Sequence, residues 1–210
     1  MEYLPGVTLA QKLSEAPFAP VEAARVGVQV LNGIDGMRSI GIVHQDIAPH
    51  NIIYNNGLAT IADLGFASIE SSPRPHEGRR YGAPREERDH VDPDLFGLGL
   101  TLYELVAQEH LVLPKAMGTK TWGDLLMTKK RELYEDGRLR SDYRSKVMER
   151  CASLTGPGGV ALADVIIDCL ESNNRTAVRE KLYSFLSWDD RVALAPESEL
   201  RSLLRERGPR

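Results

Sequence analysis

The chain has 210 residues, of which 42% are hydrophobic and 27% are charged, and its formal net charge is −4. This length and composition predict one folded domain with a sizeable core, and the acidic balance argues against a nucleic-acid partner. The longest apolar run, 95–107, is too short to span a bilayer, and the first residues lack the basic start of a secretory signal. We therefore expect no membrane partner. Cys151 and Cys169 are too few for a disulfide scaffold or a metal site, and both are expected to be reduced thiols in a cytoplasmic protein.

The first long element is a predicted amphipathic helix over residues 20–40. Its apolar residues Val26, Val30, Ile34 and Met37 recur at helical spacing. Three glycines lie within this stretch, and each costs about 1 kcal/mol relative to alanine in a helix. Packing, rather than intrinsic propensity, must therefore hold this helix.

A tight β-hairpin is predicted over residues 51–63. Asn56-Gly57 lies between two apolar, β-prone runs, which is a strong short-range signal for a two-residue turn. Because a hairpin returns the chain to its starting point, Asn51 and Asp63 should lie side by side, with Asp46 just ahead of them. Two oxygen ligands close together, with a third acidic group free to act as a base, are typical of a magnesium-phosphate site.

Residues 94–108 are apolar on most faces, which predicts a buried helix at the centre of a helical domain. Asp94 at its start needs an explanation, because an unpaired buried carboxylate is costly. One explanation is that Asp94 is the N-cap of this helix. Further helices are predicted over 122–138, 142–151, 160–171 and 176–186, and a short charged one over 197–207 in a stretch that we expect to be a solvated tail.

Two motifs give the sequence a specific family likeness. Residues 44–51 read H-Q-D-I-A-P-H-N and residues 63–65 read D-L-G. They resemble the catalytic loop (H-R-D-x-x-x-x-N) and the magnesium-binding D-F-G of eukaryotic-type protein kinases. Three later stretches also resemble this family: 81–86 the A-P-E end of the activation segment, 94–105 the central helix that opens with D-x-W-S-x-G, and 169–176 the late C-x-x-x-x-P-x-x-R-P-T stretch. The likeness extends from Met1 to about Leu186.

The resemblance implies roles for individual residues. Asp46 matches the catalytic base, and Asn51 and Asp63 match the ligands of Mg²⁺, with ATP as the phosphoryl donor and a Ser or Thr hydroxyl of a protein substrate as the acceptor. The residues implied at the ATP site are Glu2, Leu4 and Ile53, and those implied to be structural are His44, Asp94, Glu86 and Arg175. The Asp that matches Asp94 accepts backbone hydrogen bonds from the catalytic loop in kinases. Arg175 is expected to pair with Glu86 or its neighbour.

The resemblance also implies a fold. It is mainly α with a small β-hairpin, namely a protein-kinase-like C-terminal lobe over 1–187 without its N-terminal lobe, followed by a polar tail over 188–210. Within the lobe, 1–9 resembles the hinge, 44–51 the catalytic loop and 63–86 the activation segment. The glycine-rich loop and the strand-three Lys of the family have no counterpart in the 210 residues. The chain could be a fragment, its missing lobe could come from another polypeptide, or the lobe could work alone.

Departures from the family motifs keep other functions open. Gln45 replaces the Arg that reads a phosphorylated activation segment, and Ala48 replaces a Lys that neutralises the transferred phosphoryl group. Removing one such donor typically costs about 100- to 1,000-fold in rate, so we expect a weak or inactive kinase without an N-terminal lobe. A pseudokinase-type interaction module and an aminoglycoside-type small-molecule phosphotransferase are the alternatives. Leu4, Ile53 and Leu64, together with Tyr3, are expected to form an apolar patch that binds an N-lobe-like partner or a second copy of the chain.

Overall fold

The computed structural model describes residues 4–70, 81–84, 90–112, 128–136, 138–153 and 158–206. Besides the helical residues 128–131, the α-helices in these ranges are α1 Leu9–Leu13, α2 Pro20–Ser39, α3 Pro93–Ala107, α4 Ser141–Ala152, α5 Gly159–Glu171, α6 Arg175–Tyr183, α7 Trp188–Leu194 and α8 Glu197–Glu206. The strands are β1 Val7–Thr8, β2 Ile42–Val43, β3 Ile52–Asn55, β4 Leu58–Ile61, β5 Ser68–Ile69, β6 Tyr134–Glu135 and β7 Arg138–Leu139. The fold is mainly helical with small sheets, and none of these helices is long and apolar enough to cross a membrane.

The core is built around α3, which packs against both α2 and α5. Every residue of α3 after Pro93 is buried, which confirms the predicted central helix. The helix begins with Pro93 in its first turn, a favoured position because proline has no N–H to leave unpaired. The N-cap is Asp92, whose carboxylate accepts hydrogen bonds from the amides of Asp94 and Leu95. The alternative that Asp94 caps the helix is therefore wrong, and the buried Asp94 carboxylate serves another purpose.

The helix α2 confirms the amphipathic helix predicted over 20–40. It starts with Pro20, and the Glu22 carboxylate accepts a hydrogen bond from the backbone amide of Ala19 at 3.0 Å. The face of α2 that carries its buried apolar residues lies against α3, α6 and the strand β4. The chain then turns at Gly41, whose φ of 76° suits glycine, and enters β2. The helix thus delivers the chain directly to residue 44, where the motif begins.

The predicted hairpin is confirmed. Strands β3 and β4 pair antiparallel around Asn56 and Gly57, whose φ angles of 49° and 86° are those of a type I′ turn. Strand β1 adds to the other edge of β3, with Thr8 opposite Ile53. The resulting sheet has the order β1-β3-β4. It places the hinge-like start of the chain beside the hairpin that carries the motif residues.

A second hairpin contradicts part of the helix predicted over 122–138. Strands β6 and β7 pair antiparallel, with Asp136 in the left-handed region at a φ of 52°. Residues 128–131 are helical as predicted, but the prediction is wrong for the last residues of this stretch, where Asp136-Gly137 is itself a strong hairpin signal. The beginning of the predicted helix lies outside the described residues.

The residues after Ser187 are packed on the domain, which differs from the expected solvated tail. They form α7 and α8, and Leu203 is buried. The composition of this stretch is polar because it docks mostly through charged and amide groups. The contacts are the Arg25–Asp190 ion pair at 2.7 Å, the hydrogen bond from Asn32 Nδ2 to the Leu194 carbonyl at 2.7 Å and the Arg179–Glu199 ion pair at 3.3 Å.

Arg175 joins three helices at the edge of the core. It is the first residue of α6, and its Nε and one terminal nitrogen donate to Asp35 in α2 and to Asp92 at the start of α3, both at 2.7 Å. Glu86, the partner expected from the sequence, lies outside the described residues, so that pairing stays a prediction. The acids that hold Arg175 in the described structure come from elements that the motif analysis did not consider.

Gly97 tests the contact between α3 and the motif loop. A Cβ at this position would lie 2.6 Å from the carbonyl oxygen of Ile47, so Gly97→Ala should lower the free energy of unfolding by about 1–3 kcal/mol. Gly36→Ala is the matched control, because a Cβ there meets no described atom within 4 Å. It should raise the stability by up to about 1 kcal/mol. Urea unfolding measures both, and a stabilised Gly97→Ala variant would contradict the close packing.

The Arg175 junction is tested by Arg175→Ala. Removing the guanidinium leaves the buried Asp92 with one cation fewer, which should lower the free energy of unfolding by about 1–3 kcal/mol. Arg144→Ala is the control, because it breaks the 2.6 Å pair with Glu171 on a half-exposed surface and should cost only about 0–1 kcal/mol. Equal losses in the two variants would show that Arg175 is an ordinary surface residue.

Candidate active site

The motif loop, residues 44–51, runs between β2 and β3 and is buried up to its last turn. It follows Val43, which pairs with Ser68 of β5, and it ends in the single 3₁₀ turn Pro49–Asn51. Ile47 and Ala48 are buried in the core, so the loop is held from below by α3. The candidate functional side chains of the loop are thereby attached to the hydrophobic core.

Asp94 of α3 holds the start of the loop. Its two carboxylate oxygens accept hydrogen bonds from two consecutive backbone amides, Oδ2 from His44 at 3.1 Å and Oδ1 from Gln45 at 2.6 Å. Consecutive amides that converge on one anion form a small binding concavity. Gln45 reaches this arrangement in the left-handed region, at a φ of 65°, which is costly for a residue with a Cβ. The carboxylate offsets that cost with two charge-assisted hydrogen bonds.

Asp46 and Asn51 are joined directly. Asn51 Nδ2 donates to the Asp46 carboxylate at 2.8 Å and to the Asp46 carbonyl at 3.0 Å. Both side chains are buried. No donor among the described residues contacts the Asn51 amide oxygen, which leaves this oxygen available as a ligand. The loop therefore fixes a carboxylate and an amide in one orientation relative to each other.

His44 connects the loop to the return strand of the hairpin. Its Nε2 lies 3.2 Å from the carbonyl oxygen of Ala62, and its Nδ1 lies 3.3 Å from the backbone N of Asp46. Since that amide can only donate, Nδ1 accepts and Nε2 carries the proton. The Ala62 amide also donates to the Asn51 carbonyl at 2.8 Å. The chain thus comes back to Asn51 one residue before Asp63.

Asp63 has the second unusual backbone conformation of the site. Its φ is 64°, and its Oδ1 accepts a hydrogen bond from the Gly65 amide at 2.9 Å. Among the described residues, the other left-handed positions without glycine, apart from Gln45, lie in hairpin turns or at a helix end. Strained backbone away from turns tends to mark functional positions. The carboxylate of Asp63 is exposed, and its close approach to the Asn51 oxygen stays a prediction.

The predicted nucleotide-contacting residues are only partly described. Ile53 is half-buried in β3, beside the hinge-like strand β1. Leu4 is 39% exposed, and Leu64, next to Asp63, is 56% exposed. Glu2 lies outside the described residues. The structure thus brings the hinge-like strand β1 to the hairpin, and it leaves Leu4 and Leu64 exposed.

A cleft of about 570 Å³ opens beside the loop, between α1 and the end of α3. The buried Glu104 carboxylate in its wall accepts hydrogen bonds from Tyr81 Oη at 2.7 Å and is also paired with His110. The ring of His50 packs edge-on against Tyr81, with 5.9 Å between their centres. Motif reasoning missed this cleft. The signal was Glu104 within the apolar run, because a buried carboxylate needs partners.

Sequence reasoning also missed two charged residues around Asp94. Arg38 of α2 lies 2.8 Å from the Asp92 carboxylate and 3.6 Å from the Asp94 carboxylate. For Asp92 a signal existed, because an Asp before Pro at the start of an apolar run is a typical N-cap pattern. For Arg38 no local signal existed, since its partners lie more than 30 residues away in the sequence.

Comparison with known proteins agrees with this geometry. Residues 1–179 match the family model of the protein kinase domain. A probable serine/threonine-protein kinase of Clostridium perfringens is 32% identical over 117 residues, which are 50% of this chain and 17% of that protein. The serine/threonine-protein kinase PrkC of Bacillus subtilis is 31% identical over 117 residues, 50% of this chain and 18% of the relative. A Wee1-like protein kinase of Oryza sativa is 35% identical over 96 residues, which are 43% of this chain and 18% of the relative.

The matched stretches cover less than a fifth of each of these three relatives. The family model itself, however, extends over most of the chain, from the hinge-like strand to α6. It includes the buried motif loop, the hairpin and the central helix. On this basis the chain belongs to the protein kinase family.

Proposed function

We propose that the chain is a kinase C-terminal lobe that supports ATP- and Mg²⁺-dependent transfer of a phosphoryl group to Ser or Thr hydroxyls of a protein. The observation that carries the proposal is the pairing of Asp46 with Asn51 on a loop whose backbone is held by Asp94. A carboxylate and an amide fixed in this way are suited to one acid-base role and one ligand role. The names of the bacterial relatives are consistent with a Ser or Thr acceptor.

The donor set fits magnesium. The Asn51 amide oxygen and the Asp63 carboxylate are hard oxygen ligands, and Mg²⁺ is usually held by one or two carboxylates together with substrate phosphates. Within the described ranges, no group of three or more His, Cys, Asp or Glu side chains is arranged to hold a metal ion, so the phosphates of ATP would supply the remaining ligands. When bound, the ion would neutralise charge on the transferred phosphoryl group.

Asp46 would act on the acceptor. Its carboxylate would orient the hydroxyl and take its proton while the hydroxyl oxygen forms its bond to the γ-phosphorus and the bond to the departing ADP oxygen breaks. The hydrogen bond from Asn51 fixes the orientation of the Asp46 carboxylate. The open cleft beside His50 is the place where a polypeptide acceptor would lie.

The 210 residues alone should transfer phosphoryl groups slowly. They contain no counterpart of the glycine-rich loop or the strand-three Lys of the family, and such electrostatic groups are worth about 100- to 1,000-fold each. An N-lobe-like partner, bound at the hinge side, would restore them. The exposed Leu4 and Leu64 favour the second candidate function, a pseudokinase-type interaction module. Acceptor assays with proteins and with aminoglycosides separate the kinase from a small-molecule phosphotransferase.

Asp63→Asn tests the magnesium role. Asn tolerates the left-handed conformation at this position, so the variant should keep the backbone and remove only the charge. We expect the magnesium-dependent part of ATP binding to be lost, measured by calorimetric titration with ATP in the presence of Mg²⁺ and of a chelator. Asp136→Asn is the matched control, because Asp136 is also a left-handed Asp, at a φ of 52°, in the β6–β7 turn.

Magnesium-dependent binding that is equal in the parent and in Asp63→Asn would show that the D-L-G motif is a vestige. Loss of binding in Asp136→Asn as well would mean that the change in net charge, rather than the site, is responsible. Phosphoryl transfer measured with radiolabelled ATP and generic protein acceptors should follow the same order as binding.

The exposed apolar residues at the hinge side should mediate association. Leu4→Ser combined with Leu64→Ser removes two large side chains that water already reaches, so folding should be preserved while association weakens. Sedimentation velocity across a concentration series measures this, with Leu204→Ser as control because Leu204 is 53% exposed on α8. A parent chain that stays monomeric at high concentration and captures no N-lobe-like partner would contradict this role.

A further inference from the structure

Arg38, near the end of α2, is surrounded by three carboxylates. One terminal nitrogen donates to Glu70 at 2.9 Å, and the other donates to Asp92 at 2.8 Å and lies 3.6 Å from Asp94 Oδ2. The Arg38 side chain is 10% exposed, and that of Asp94 is fully buried. Glu70, in contrast, is exposed to water. The interaction that the solvent screens least is therefore the one with Asp92 and Asp94.

The Asp94 carboxylate is under opposing influences. Burial and the neighbouring Asp92 carboxylate raise its pKa above the ordinary value, and the amide hydrogen bonds from Gln45 and His44 and the charge of Arg38 limit that rise. A protonated Asp94 would bind the two amides more weakly, because hydrogen bonds to an ionised acceptor are roughly twice as strong as neutral ones. The state of this buried carboxyl group thus determines how firmly the motif loop is held.

In the part of the chain that the structure describes, Arg38 is the cation that forms an ion pair with that carboxyl group. Among the described residues, the charged groups that act on Asp94 are Arg38 from α2 and Asp92 from its own helix, while the loop contributes the backbone amides of His44 and Gln45. Arg175 binds the other oxygen of Asp92 at 2.7 Å. Because Arg175 neutralises part of the charge of Asp92, the positive charge of Arg38 also acts on Asp94.

We propose that Arg38 is a positioning residue for the catalytic loop, which keeps the Asp94 carboxylate ionised and directed at the amides of His44 and Gln45 and thereby holds Asp46 in place. The consequence of this positioning for catalysis rests on the proposed function. The geometry of the loop, however, can be measured without any phosphoryl transfer. No motif of the sequence analysis includes Arg38, and only the structure brings it to Asp94.

The test follows the backbone amides of His44 and Gln45 by NMR in the ¹⁵N-labelled full chain. An amide bonded to a carboxylate resonates downfield and moves upfield when the carboxyl group takes up a proton. In Arg38→Met both amides should titrate at a pH at least about one unit higher than in the parent, since an opposite charge at this distance typically lowers a carboxyl pKa by 1–3 units. Arg38→Lys should lie between the two. Equal midpoints in Arg38→Met and the parent would overturn the proposal.

Asp92→Asn provides a test of opposite sign and keeps the N-cap, because Asn caps helices as well as Asp. Removing the like charge beside Asp94 should move the amide midpoint to lower pH, and an unchanged or higher midpoint would overturn the proposal even if Arg38→Met fails to fold. Arg144→Met, which breaks a distant exposed pair, should leave the midpoint at the parent value.

An assay of phosphoryl transfer then distinguishes a failure of this inference from a failure of the proposed function. In an active parent, the acid limb of the pH–rate profile should move with the amide midpoint in Arg38→Met, while the neutral-pH rate of Arg144→Met stays that of the parent. An acid limb that stays in place despite a shifted amide midpoint would refute the positioning role. A parent without any transfer would refute the proposed function, and the amide titration would still decide the role of Arg38.

Discussion

The buried carboxylate of Asp94 determines how the rest of the site is arranged. An ionised group at the start of a hydrophobic helix is tolerated only where other groups neutralise and solvate it. Two loop amides and one guanidinium group do so here. The same contacts set the path of the loop, because the chain must enter a left-handed conformation at Gln45 to present both amides to one anion. The need to neutralise a carboxylate in the core thus fixes the backbone conformation of the candidate loop.

The hairpin adds the second half of the site by local means. A tight turn at Asn56 and Gly57 requires no distant contact, yet it returns the chain to the end of the loop and delivers Asp63 there. His44, buried with its proton on Nε2, connects the two halves through the Ala62 carbonyl. Gln45, which stands where the family motif has an Arg, donates from its side-chain amide to the Ser68 hydroxyl. At this position the loop therefore carries a buried, neutral side chain.

The features predicted correctly from the sequence are those with local causes. Asn56-Gly57 determines a turn through backbone sterics, and the apolar run of α3 determines a buried helix through its composition. The acids that hold Arg175 were not predictable, because they are 83 and 140 residues away and are chosen by the packing of helices. The prediction did not include the second hairpin, although Asp136-Gly137 signals it. It also did not include the docking of α7 and α8 on the domain, because the polar composition of this stretch indicates a solvated tail and polar contacts hold it in place.

Gly97 has a consequence for the motions of the loop. With no side chain between them, the helix α3 and the carbonyl of Ile47 are in direct backbone contact. The amides of His44 and Gln45 are tied to the same helix. We therefore expect the loop not to open independently of α3, and its amides to exchange together with the centre of the core. Functional loops are usually drawn from the low-stability end of a fold, whereas this candidate loop is tied to the central helix through its backbone.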